Sequence, residues 1–193
     1  MPKRSPALST PSISLSATDD QLIDRARQDP CAFAGLYDRY LPSVFRYLYS
    51  KVSQPADAED LTSQVFLAAL EAFPKYRHRG YFKTWLLSIA RRKAADYYRH
   101  SPPEISLDEA SGLASANLNP LARAVYSDDL HSLAALVAQL PEEQRELLRL
   151  RFAAGLSFPE ISRILNRKES AVKMALYRLL ERLQIQLEAQ DAK

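Results

Sequence analysis

Apolar residues recur along this chain at intervals of three and four, the spacing that gathers them on one side of an α-helix, and nothing in it alternates like strands separated by turns. The first such segment runs from Thr18, a capping residue, to about Gln28, with Leu22, Ile23 and Ala26 on its apolar side. Asp29-Pro30 breaks it and starts a second helix, which reaches about Val52. Phe33, Leu36, Tyr37, Tyr40, Leu41, Val44, Phe45 and Leu48 share one broad face of that helix, and Pro42 inside it predicts a kink or local break. A third helix is expected from near Pro55 to about Phe73, with Leu61, Val65, Phe66, Ala69 and Leu70 facing in. A fourth spans about Tyr81 to Arg99, with Phe82, Trp85, Leu86, Ile89 and Ala90 facing in.

The pattern then lapses. Residues 101–127 hold three prolines, several small residues and no helical face. A structureless stretch of that length inside one compact domain is unusual, so it reads as a flexible linker, with Leu107, Leu113 and Leu118 as anchoring points on a partner. Residues 1–17 are rich in Ser and Pro and lack a continuous apolar stretch, which marks a disordered tail rather than a signal peptide. The expected fold is all-α: two small helical domains, 18–100 and 128–193, joined by the linker.

Periodicity returns at Leu140. Pro141 suits a first helical position, and Glu142 and Glu143 follow where carboxylates favour the helix dipole. Leu147, Leu148 and Leu150 form a stripe that ends near Gly155. Ser157 and Glu160 have capping-box spacing before Ile161, Ile164 and Leu165. Asn166 tolerates the left-handed conformation of a tight turn, and another helix starts near Lys168 with Val172, Leu176, Leu179, Leu180 and Leu183 at helical spacing. Two short helices around such a turn make a helix-turn-helix, the geometry that places the second helix in a major groove. From Arg163 to Arg182 there are six Lys or Arg against Glu169 and Glu181, a balance suited to a phosphate backbone. The same hairpin also occurs in helical bundles that bind nothing.

Composition narrows the classes. The chain has 193 residues, of which 47% are hydrophobic, enough for a real core, and its formal net charge is +3. Cys31 stands alone, so no internal disulfide framework exists and a reducing, cytoplasmic setting is expected. No apolar run is long enough to insert in a membrane. The four glycines lie far apart, so no phosphate-cradling loop can form, and His78, His100 and His131 lack metal-ligand spacing. No catalytic signature or cofactor motif is found, and no enzymatic role is expected. Two charged zones remain. The acidic one, 55–60, lies at a helix start, where a solvated N-terminus enriched in acids for dipole reasons accounts for it. The basic one, 75–100, holds eight Lys or Arg against Asp96, with Tyr76, Tyr81, Tyr97 and Tyr98 interleaved. Cations for phosphates and rings for bases are what a single-stranded nucleic acid site needs, although a solubilising surface has the same composition.

Taken in order, four segments resemble the extracytoplasmic-function (ECF) group of bacterial sigma factors. AFAGLYDRYLPSVFRYL (Ala32 to Leu48) is similar to that family's first conserved helix, and ADAEDLTSQVFLAAL (Ala56 to Leu70) to the helix that docks on the polymerase clamp. FKTWLLSIARRKAADYYR (Phe82 to Arg99) resembles the −10 helix, and LPEEQRELLRLRFAAGLSFPEISRIL followed by AVKMALYRLLERL resembles the −35 domain. The resemblance implies that Asp57, Glu59, Asp60 and Gln64 contact core RNA polymerase. It implies a −10 DNA site of Lys75, Tyr76, Arg77, His78, Arg79, Lys83, Arg91, Arg92 and Arg99, the 75–80 loop capturing a flipped base of the non-template strand. It implies −35 contacts by Arg167, Lys168, Ser170, Lys173, Met174 and Arg178. Core RNA polymerase, promoter DNA and an anti-sigma factor are the implied partners. The chain departs from the common pattern at Ser63-Gln64, Arg92, Asn166 and Met174-Ala175. Two other classes remain open: a stand-alone helix-turn-helix regulator, and a sigma-like interaction protein with a vestigial DNA reader that acts as a decoy for polymerase or for an anti-sigma factor.

Overall fold

The computed structural model describes residues 17–77, 80–100 and 130–191. Among them every helix expected from the apolar spacing is present and no strand occurs. Helix α1 (Asp19–Gln28) opens on Thr18, whose backbone N–H donates to Gln21 Oε1 at 3.0 Å while its hydroxyl accepts from the Gln21 N–H, a reciprocal cap. Asp29 ends α1, and its carboxylate accepts from the Cys31 N–H at 2.9 Å. The predicted second helix therefore begins as a 3-10 turn, Pro30–Phe33, before α2 (Ala34–Val52). α2 continues through Pro42, which is exposed, so the face that lacks an N–H borders solvent. Ser53, at φ 62°, ends it in the left-handed conformation. α3 (Pro55–Ala72) starts on its proline, and a 3-10 turn, Phe73–Lys75, leads toward α4 (Phe82–His100).

The second half begins with an element the spacing did not announce. Residues 130–138 form α5, at the start of the expected domain 128–193, where the sequence reading placed no helix. Then come α6 (Glu142–Leu148), a π-helical turn (Arg149–Ala153), α7 (Phe158–Leu165) and α8 (Glu169–Asp191). The capping box is present: Glu160 Oε2 accepts from the Ser157 N–H at 2.8 Å and from its hydroxyl at 2.6 Å. Asn166 sits at φ 52°, the left-handed turn between α7 and α8. The linker 101–127 and, apart from buried Ala17, the tail 1–17 lie outside the described residues.

The two helical regions are packed together. One apolar core runs from Ile23, Leu36, Val44, Val65 and Leu86 of the first region to Leu147, Leu150, Leu156, Ile161 and Leu176 of the second. A smaller core of Leu136, Leu140, Leu179 and Leu183 joins α5 to α8. The structure changes four assignments. Tyr47, left off the apolar face of α2, is fully buried because α2 is covered on that side by the second region. Tyr37 and Leu70, expected to face in, are 38% and 42% exposed. Trp85 is only half-buried, at the edge of the core rather than inside it.

Candidate nucleic-acid interface

The turn from α3 to α4 builds a cleft of about 430 Å³. Lys75, Tyr76 and Arg77 line it from the turn, and Tyr81, Thr84, Trp85 and Ser88 from the start of α4. Phe73 and Phe82 are buried and anchor the turn; the Tyr76 ring packs 5.4 Å from Phe82 and 4.6 Å from Trp85, centroid to centroid. Arg27 of α1 fixes the turn's backbone by donating to the Tyr76 carbonyl at 3.2 Å. The last lining residue, Arg163, comes from α7.

The nine basic-zone residues do not form one surface. Lys75, Tyr76 and Arg77 meet at the cleft, whereas His78 and Arg79 lie outside the described residues. Lys83 and Arg91 point to the second region. Lys83 Nζ donates to the Gly155 carbonyl at 2.8 Å, and burial holds its pKa below the usual lysine value despite the opposing pull of Glu160. Arg91 reaches the Ile164 carbonyl and Glu146 Oε1, both at 3.3 Å. Arg92 is exposed, and Arg99, also exposed, pairs with Asp96.

The acidic residues share α3 with an apolar strip. Glu59 and Asp60 are exposed, and Asp60 accepts from Gln64 Nε2 at 2.7 Å. Asp57 accepts from the Tyr97 hydroxyl at 2.7 Å, a bond that pushes the Tyr97 pKa up to about 12. Beside them Leu67 and Leu70 are 59% and 42% exposed. Sequence reading missed Leu67 and misassigned Leu70. The signal was there: Leu67 falls off the 61-65-69 stripe, so the core packed on that stripe leaves it outside.

On α8, Val172, Leu176, Leu179 and Leu183 are buried, which leaves Ser170, Lys173, Met174 and Arg178 exposed with Lys168 just before the helix. Arg167 pairs with Glu143 of α6. Tyr177, absent from the sequence reading, is exposed on the same side as Met174, with the Lys173 ammonium 5.9 Å from its ring centroid.

Between the two regions lies a buried polar cluster. Glu146 of α6 is 5% exposed. Its carboxylate accepts from the Tyr47 hydroxyl at 2.8 Å and from Lys51 Nζ at 2.8 Å, and faces Arg91 Nε at 3.3 Å. Burial and the Glu146 charge push the Tyr47 pKa far above the ordinary tyrosine value. Arg149 donates to the Ser50 carbonyl at 2.9 Å and to Glu142 at 2.8 Å; Arg46 donates to the Ala153 carbonyl at 3.2 Å. Burial acts to raise the Glu142 pKa, but Arg149 and Lys51 outweigh it and hold the carboxyl below its usual value. Among the described residues no His, Cys, Asp and Glu group could hold a metal ion, and no helix is long and apolar enough to cross a membrane.

Comparison with known proteins finds a family match in each of the two regions. Residues 36–101 match the family described as Sigma-70 region 2, and residues 130–183 the family described as Sigma-70, region 4. The chain is 37% identical to the ECF RNA polymerase sigma factor BldN of Streptomyces coelicolor, over 87% of this chain and 65% of that protein's length. It is 37% identical to ECF RNA polymerase sigma factor ShbA of Streptomyces griseus subsp. griseus, over 74% of this chain and 80% of that protein. With ECF RNA polymerase sigma factor SigX of Bacillus subtilis the identity is 30%, over 81% and 84%. In fold it is similar to CnrH, solved in complex with the cytosolic domain of CnrY: TM-score 0.62, 23% identity, 87% of this chain and 96% of that one.

Proposed function

Because this chain belongs to the ECF RNA polymerase sigma factors, a family of transcription initiation factors, we propose that it binds core RNA polymerase and directs it to promoters by recognising −10 and −35 elements and aiding melting. The observation that carries the reading is the pairing of two surfaces on adjacent helices. α3 shows acids beside exposed Leu67 and Leu70, and the turn after it opens into a cleft that joins basic side chains to aromatic rings.

In this reading Asp57, Glu59, Asp60 and Gln64, with Leu67 and Leu70, form the polymerase-docking surface. A charged rim around an apolar centre is a usual composition for such an interface. The cleft takes a base of the non-template strand: Tyr76, Tyr81 and Trp85 supply π faces, and Lys75, Arg77, His78, Arg79, Arg92 and Arg99 the cations, with Lys83 and Arg91 joining when free. In the major groove, the start of α8 presents Lys168, Ser170, Lys173, Met174 and Arg178 to base edges and phosphates, with Arg167 beside them. Residues 18–100 and 128–193 act as the two DNA-handling domains and 101–127 as the linker that lets both engage one promoter at high effective concentration. The polymerase supplies the chemistry, and the working compartment is the cytoplasm. An anti-sigma factor is a further partner, in line with the CnrH complex.

Gel filtration with core RNA polymerase, followed by promoter-dependent transcription, tests the reading. Co-elution and initiation are expected. Glu59→Lys with Asp60→Lys is the cleaner charge reversal, because Asp57 also holds Tyr97 inside the fold. That pair is expected to abolish co-elution with helicity unchanged, and normal co-elution would remove this surface. Co-elution without initiation would leave a decoy, and separation from the polymerase a stand-alone DNA-binding regulator.

A further inference from the structure

The exposed side of α8 has an apolar apex between cations. Val172, Leu176, Leu179 and Leu183 are buried and define the inner side of the helix. At about 3.6 residues per turn Met174 falls almost opposite the middle of that stripe, and it is 53% exposed. Tyr177, also 53% exposed, is three positions on and therefore its neighbour on the helix surface. The Tyr177 ring is held from two directions: the Phe158 ring at the start of α7 lies 6.2 Å away, centroid to centroid, and the Lys173 ammonium 5.9 Å from the ring centre. Arg151 in turn lies 4.8 Å over Phe158. Ser170, Lys173 and Arg178 are exposed around the apex, while exposed Ala171 and Ala175 add nothing polar to it. The strong hydrogen-bonding groups of this face thus stand at its edges. Its most projecting side chain offers no donor and, in its thioether, only a weak acceptor.

A single exposed apolar side chain ordinarily needs no explanation, but one at the apex of a helix that enters a major groove presses on base edges. Adenine, guanine and cytosine show donors and acceptors there, whereas thymine adds a 5-methyl group. A thioether laid on a donor or acceptor displaces its water and returns little, which is unfavourable. Laid on a methyl group, it buries apolar surface on both sides. We infer that Met174, walled by Tyr177, reads a pyrimidine 5-methyl group: the duplex bound by α8 carries thymine under the apex, and prefers 5-methylcytosine to cytosine at that place. The inference rests on the reading of α8 as the helix that enters the −35 major groove, and names the base chemistry it selects. Lys173 and Arg178 hold the flanks by charge, and Met174 supplies the choice of base.

The full chain with core RNA polymerase is used to enrich bound sequences from a pool of random duplex DNA. Deoxyuridine, which lacks only the methyl group, then replaces each thymine of the enriched sequence in turn, and affinities are measured for wild type, Met174→Ser and Met174→Leu. At one or two thymines the replacement is expected to weaken wild type about fourfold, the transfer value of one buried carbon. Met174→Leu is expected to respond in the same way and Met174→Ser not to respond at those positions, the signature of a direct coupling. Cytosine placed there is expected to bind wild type better when 5-methylated, and Met174→Ser equally well in both forms. Met174 is exposed, so its replacement leaves the core intact, which circular dichroism checks. Equal losses in wild type and Met174→Ser at every thymine, or no loss at any, overturn the methyl contact while leaving α8 as a DNA reader. If wild type enriches nothing, or the double variant Lys173→Ala, Arg178→Ala enriches the same sequences as strongly, the major-groove reading of α8 itself fails, and the inference falls with it.

Discussion

Glu146 and Lys51 show how much one residue pair can decide. Both side chains are nearly enclosed, at 6% and 11% exposure, and a buried carboxylate is tolerated only where cations and donors surround it. Tyr47, Lys51 and Arg91 do so here from two helices of the other region. Removing one partner strands the other, so Glu146→Ala is expected to cost about 3 kcal/mol in urea unfolding, the lower end for a broken buried pair because Lys51 keeps Glu142. Lys51→Met with Glu146→Leu is expected to recover most of that loss. A loss below roughly 1 kcal/mol for Glu146→Ala would show that the pair is solvated rather than buried.

At the scale of the element, the hairpin of α7 and α8 depends on its ends. α7 has only eight residues, too short to hold itself, so its cap and its exit carry disproportionate weight. The entry is the Ser157–Glu160 box and the exit is Asn166 in the left-handed conformation. A β-carbon is strained there, and asparagine tolerates it better than most residues. Asn166→Gly is therefore expected to be neutral or mildly stabilising, whereas Asn166→Ala is expected to lose about 1 kcal/mol. Thermal melts of the three chains check this, and equal melting temperatures for all of them would mean the turn relaxes elsewhere.

Across the whole molecule, Glu142 links protonation to the contact between regions, since it bridges Lys51 of the first to Arg149 of the second. Its carboxyl is held below the ordinary 4.5, so the folded form releases this proton more readily than the unfolded one. The stabilisation is fully present above about pH 4.5 and is lost as pH falls through the lower folded value. Acid titration followed by small-angle scattering is expected to show the regions parting sooner in wild type than the rest of the chain unfolds. Glu142→Gln is expected to lack the bridge's share of stability at neutral pH and to weaken the acid dependence. An identical acid profile in both chains would remove Glu142 from the linkage.

The helices were legible because a helix is a local object. The three-and-four spacing of Leu22, Ile23 and Ala26, or of Val172, Leu176 and Leu179, states which side is apolar before any partner is known. Caps are equally local, and Thr18, Ser157 with Glu160, and Asn166 occupy the positions their chemistry predicts. What lies opposite an apolar side is not local. Tyr47 reads as surface until α6 covers it, Leu70 reads as core until α3 proves to have no neighbour there, and Arg163 reads as one more cation until α7 brings it onto Tyr81. Glu146 is the sharpest case: nothing in EEQRELL separates it from its exposed neighbours, and only the meeting of α6 with α2 and α4 buries it. By itself the sequence determined which segments are helices, which faces are apolar and which family they resemble, because these follow from spacing along the chain. Tertiary structure alone decided that the two regions share a core and that one lies over the other's cleft. Those contacts join residues about 70 to 110 positions apart, whose proximity no periodicity encodes.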